Sequence, residues 1–253
     1  IVHSRFYNNL ASGSGGALYL LSINALNILS STFKGNDANL FGGGIYTESS
    51  QRIVISSCYV EENNAYCLGG FAYFVNITAI SNTHSMLIKN KAKSGGCFFV
   101  NKVFRFLNRN CTFSNNSAVE RGEGGALAVH QCLDFTNIHC KFTYNSAEKG
   151  GATFTNYTNI HNINSTFESN MYSPNDNIDY KINAAHLQKH QCPFKDTLKR
   201  YIVGGACFHT NGINFTNRNT LFLKNKAEFG AAVYIKWGMT FHNIRSSFKR
   251  NFA

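Results

Sequence analysis

Hydrophobic and polar positions recur along this chain with a period close to 27 residues. Phe6, Phe33, Val60, Leu87, Phe113, Phe142, Phe167, Phe222 and Phe248 are each followed three residues later by an asparagine: Asn9, Asn36, Asn63, Asn90, Asn116, Asn145, Asn170, Asn225 and Asn251. Successive asparagines lie 27, 27, 27, 26, 29, 25, 55 and 26 residues apart. An alanine usually comes two positions on, then a glycine pair, from Gly15-Gly16 through Gly204-Gly205; the eighth copy is degenerate, Gly230-Ala231. In-phase recurrence of this kind is the signature of a repeat architecture and is read before any single residue.

After each glycine pair the chain alternates, with short apolar runs and no sustained helical period, so each repeat is predicted to contain strands. One alternating set holds Tyr19, Tyr46, Tyr73, Phe99, Phe154, Phe208 and Tyr234, with Ala128 the exception; the neighbouring set holds Leu18, Ile45, Ala72, Phe98, Leu127, Thr153, Cys207 and Val233. Stacking equivalent positions about 4.8 Å apart in successive coils places like on like and builds a core coil by coil. The predicted fold is an all-β parallel β-helix of about nine coils, formed by residues 1–253 as a single unit. The repeating asparagines suit turns, where they tolerate left-handed backbone and can bond along a column of like residues. The paired glycines suit corners that need positive φ or close backbone approach.

Composition narrows the picture little. Sparse charge (15%) with 43% hydrophobic residues argues against disorder. No apolar run approaches the roughly 18 residues of a membrane helix. The 33 asparagines match the bias of an AT-rich coding sequence and carry little weight. A net charge of +11 favours an anionic partner such as an acidic glycan. Yet the basic residues are scattered, with small clusters at Lys89-Lys91-Lys93 and Lys195-Lys199-Arg200, and no nucleic-acid-binding motif is present.

Phe-x-x-Asn followed by Gly-Gly-Ala and an aliphatic residue resembles the repeat of the chlamydial polymorphic outer membrane proteins. The nearest copies are Phe6-Tyr-Asn-Asn9 with Gly15-Gly-Ala-Leu18, and Phe113-Ser-Asn-Asn116 with Gly124-Gly-Ala-Leu127. The resemblance implies a right-handed parallel β-helix exposed at a cell surface, typically as an adhesin passenger, and similar repeats occur in unicellular eukaryotes. Val60 and Leu87 depart from the phenylalanine, and Phe71 and Cys97 from the alanine. Because Ile1 and Ala253 both fall inside a repeat, the chain reads as a fragment of a longer solenoid.

Between Asn170 and Gly204 the spacing expands, and residues 171–203 read as an inserted loop, with a degenerate coil as the alternative. His186, His190 and Cys192 in that stretch have a spacing that could gather metal ligands on a helix, but no fourth ligand is evident. His130, Cys132, His139 and Cys140 form a weaker cluster, in which alternation places His130 and Cys132 on one strand face. No metal or cofactor is expected. Cys111 and Cys140 occupy equivalent positions of adjacent coils, as a candidate disulfide or a stacked thiol column. Asn76, Asn110, Asn115, Asn156, Asn164 and Asn214 head Asn-x-Ser/Thr sequons and are candidate glycosylation sites, at a frequency that chance explains.

Many β-helices cleave acidic polysaccharides, and that chemistry needs paired carboxyl groups or an acidic metal cluster. Here the close acidic pairs are Glu61-Glu62, Glu120 with Glu123, and Asp176 with Asp179. None combines with a basic residue in an evident groove, so no catalytic residue is assigned. The expected role is a non-enzymatic structural or adhesive scaffold, extracellular or at the cell surface. Its protein partners would meet lateral faces or open coil ends, and membrane association would arise only through segments outside this chain. A polysaccharide-processing enzyme and an intracellular filament-associated scaffold are the alternatives.

Overall fold

The computed structural model describes residues 1–171 and 204–253. Every strand pairing in it is parallel, and no helix occurs among the described residues. The nine repeat segments that lead into the asparagines, seven of them Phe-x-x-Asn, stack as one nine-stranded sheet, from Arg5–Tyr7 to Ser247–Lys249. A twelve-stranded sheet forms from the segments after the glycine pairs, and a five-stranded sheet closes the third side. The result is a parallel β-solenoid of about eight turns, bounded by the nine strands of the first sheet. Register follows the repeat: Tyr73 sits between Tyr46 and Phe99, and Leu87 between Val60 and Phe113.

Alternation does not run unbroken through the second sheet. Its four longest strands, Ile45–Ser56, Ala72–Thr83, Phe98–Arg109 and Leu127–Ile138, bend at Ser49, Asn76, Lys102 and Gln131, where φ lies between 51° and 55°. That left-handed residue turns the strand around a corner and resets which side chains face inward. For this reason His130 and Cys132, expected on one face, are separated. Gln131 (φ 51°) lies between them, Cys132 joins the core, and the His130 ring stacks among outer aromatics.

The asparagine ladder is continuous through all nine rungs. Each amide donates to the Oδ1 of the next rung at 2.7–3.1 Å. Each backbone N–H donates to that same oxygen, as Asn90 does to Asn116 at 3.0 Å. The second amide hydrogen reaches a carbonyl of the preceding coil, such as Asn116 to Leu87 at 2.9 Å. Buried turn donors are thereby satisfied without water. Asn170 bonds directly to Asn225 at 3.1 Å, so the rungs on either side of the 171–203 expansion are adjacent in space.

Inside, the phenylalanine column stacks with ring centroids 4.5 Å apart for Phe6–Phe33 and 4.7–5.0 Å from Phe113 through Phe248. The departures at Val60 and Leu87 are matched by the departures at Phe71 and Cys97. Where the column loses a ring, the small-residue position after the next glycine pair gains bulk. Phe71 enters the vacated volume and packs against Phe33 at 5.3 Å and Phe98 at 5.6 Å. Gly44 completes the exchange, since a Cβ there would lie 2.7 Å from the Phe71 ring. Core density is conserved while residue identity is not.

Candidate interaction surface

The outer aromatic column runs from Tyr19 through Tyr46, Tyr73 and Phe99 at centroid separations of 4.7–5.5 Å, and resumes through Phe154, Phe208 and Tyr234. The gap at Ala128 is bridged by His130, whose ring lies 5.1 Å from Phe99 and 5.3 Å from Phe154. His130 also lies 3.3 Å from the Glu123 carboxylate, which in turn lies 3.8 Å from the Lys149 ammonium. All three are buried, so this middle part of the column braces the wall, whereas Tyr19 at its end is exposed.

The candidate acids are engaged by cations of neighbouring coils. Glu61 and Glu62 hold Lys34 and Lys89, with the closest contact 2.7 Å from Lys34 to Glu61. The Lys34 hydrogen bond holds the Glu61 carboxyl below its usual range. Glu120 pairs with Lys93 at 3.9 Å and Asp134 with Arg105 at 3.7 Å. Two lysines of the Lys89-Lys91-Lys93 cluster are thus drawn toward carboxylates of adjacent coils. Among the described residues no group of three or more His, Cys, Asp or Glu side chains could hold a metal ion. Asp176, Asp179, His186, His190, Cys192 and the basic stretch from Lys195 lie outside the described residues.

Four of the six sequon asparagines, Asn76, Asn110, Asn115 and Asn164, occupy exposed left-handed corners (φ 49–55°). Asn156 and Asn214 are half-buried; Asn156 accepts a hydrogen bond from Asn211 at 3.0 Å, and the hydroxyl of its sequon partner Thr158 is buried.

A second asparagine ladder was missed in the sequence. Asn82, Asn108, Asn137, Asn162 and Asn217 are fully buried and linked amide to amide at 2.9–3.1 Å. Each stands eight residues before a rung of the first ladder, as does Asn243, and that recurrence could have revealed it. Two earlier coils carry Ile28 and Ile55 at the same place.

One corner of the solenoid carries exposed apolar side chains. The left-handed residues Tyr157 and Trp237 and the flanking Phe104, Leu133, Ile213 and Met239 turn apolar side chains outward in successive coils, Trp237 and Met239 being 66% and 77% exposed. The sequence hid this ridge because its members fall at corners, where alternation gives no direction.

Repeat, register and glycine-cornered coils agree with one outside comparison. The model of the Chlamydia polymorphic membrane protein (Chlamydia_PMP) repeat matches residues 3–20, 30–48 and 110–129. The chain carries repeats of the Pmp type. The matched stretches each include a Phe-x-x-Asn strand and the following glycine pair, and the third contains Asn116, a central rung of the ladder. Pmp-type repeats and the β-solenoid fit a surface-repeat protein. No match was found among curated proteins or among solved structures.

Proposed function

We propose that this chain is a non-enzymatic scaffold of a cell-surface or secreted repeat protein, and that it makes adhesive or structural contacts through its sides. The supporting observation is the apolar ridge of Phe104, Leu133, Tyr157, Ile213, Trp237 and Met239, aligned along one corner while the repeating polar residues are occupied in stacking. Aligned exposed apolar side chains of this kind mark contact surfaces. Rigidity comes from the two ladders and the aromatic columns, so the ridge is presented in a fixed geometry. The Pmp-type repeat supports the surface location.

The test has two arms. An antibody against residues 1–171 is expected to label intact, non-permeabilised source cells, and beads coated with the chain to adhere to those cells. Replacing Leu133, Tyr157 and Trp237 together by serine is expected to remove most of the adhesion without unfolding the solenoid. Labelling only after permeabilisation would favour the intracellular scaffold. Turnover of an acidic polysaccharide that is lost with Glu120→Gln and Glu123→Gln would establish the enzyme instead.

A further inference from the structure

The six described cysteines that carry free thiols are Cys58, Cys97, Cys111, Cys132, Cys140 and Cys207, all buried. Their surroundings differ. Cys58, Cys111 and Cys140 belong to the column that also holds Ser31, Ser85 and Ser165, two residues before the phenylalanine position. Cys58 is separated from Cys111 by Ser85, whose hydroxyl accepts the Cys58 N–H at 3.2 Å. Cys132 has Val103 and Thr158 above and below it, and Cys207 has Thr153 and Val233. Among the described cysteines, only Cys111 and Cys140 occupy the same position in consecutive coils.

The coils bearing them are tied in register. Thr112 pairs with Lys141, and the Lys141 N–H donates to the Cys111 carbonyl at 2.9 Å. Neighbouring parallel strands place such Cα atoms about 4.8 Å apart. A disulfide needs roughly 4.4–6.8 Å. Their side chains influence each other: Cys140 holds the Cys111 thiol below its ordinary range, while Cys111 and then burial push the Cys140 thiol up. Cys111 also donates toward the carbonyls of Arg109 at 3.2 Å and Asn82 at 3.4 Å, and Cys140 toward Ile138 at 3.4 Å.

We propose that Cys111 and Cys140 are an oxidisable pair that closes into a disulfide linking two successive coils when the chain folds in the presence of a low-molecular-weight disulfide. The Cys111 thiolate attacks the oxidant, giving a mixed disulfide and one released thiol. The Cys140 sulfur, losing its proton to solvent or buffer, then displaces the second thiol and forms the Cys111–Cys140 bond. Two protein thiols are oxidised and one oxidant disulfide is reduced to two thiols, so electrons and protons balance. Both side chains are at most 2% exposed, so the exchange belongs to folding or to local opening and not to the closed stack.

The experiment refolds the full chain in oxidised and reduced glutathione and maps peptides without reduction. The expected product contains a Cys111–Cys140 cross-linked peptide, 2 Da lighter than the sum of its parts, and unfolds several degrees above the same chain refolded with reductant. Cys111→Ser and Cys140→Ser place serine where other coils carry it, so both should fold, and each should abolish the cross-link and the shift. Cys111 and Cys140 both left reduced under these conditions, or Cys111 joined to Cys97 instead, would overturn the proposal.

Discussion

At the scale of the residue, stability rests on polar groups that have no alternative partner. Asn116 Oδ1 accepts from both the backbone and the amide of Asn90 at 3.0 Å, and its own amide serves Leu87 and Asn145. Asn116→Ala strands several buried donors and acceptors at once, at about 1–3 kcal/mol for each unsatisfied group. A loss of about 3 kcal/mol or more in urea unfolding is expected, against roughly 1 kcal/mol for Asn251→Ala in the half-exposed final rung. His209 supplies the pH dependence. It is fully buried, shares a 2.7 Å hydrogen bond with Thr155, and burial pushes its pKa down to about 4 from 6.5. Between those values the unfolded chain binds the proton and the folded chain does not. Stability is therefore intact above pH 6.5 and falls as pH drops toward 4, by roughly 3 kcal/mol in all. His209→Val, which takes the residue found at Val129 in the same column, is expected to flatten that slope in urea melts at pH 7 and pH 4.5 relative to the parent.

At the scale of the element, the coil tolerates exchange of volume but not its loss. Phe71→Ala should open a cavity worth about 3–5 kcal/mol. Adding Val60→Phe restores the ring that other coils carry, and it should recover more than half of that loss in the same denaturation assay. A double variant no more stable than Phe71→Ala would show that the two positions do not share one space. These compensations also explain what the sequence disclosed. Nine in-phase asparagines, seven of them preceded by phenylalanine, announced the strands, the register and the first ladder, because a stack repeats its requirements at every level. The corners stayed hidden. A left-handed residue can be Lys102, Gln131, Tyr157 or Trp237 when the stack on either side fixes the backbone, and none of these types signals a turn. Losing the corners meant losing the direction of every side chain after them, including Cys132 and the apolar ridge.

At the scale of the whole molecule, each described coil meets only its neighbours, so the stack behaves as a one-dimensional array. The scaffold reading depends on that stacking more than on any single side chain. Cysteine pairs on the outer wall test it most directly. Ser56 and Thr83 are register partners in consecutive coils, with their hydroxyls 2.9 Å apart, while Arg109 lies one coil further on beside Thr83. Mild oxidation of Ser56→Cys/Thr83→Cys is expected to give a rapid intramolecular disulfide, and Ser56→Cys/Arg109→Cys none. Equal cross-linking of both pairs, or of neither, would contradict the solenoid and the scaffold built on it.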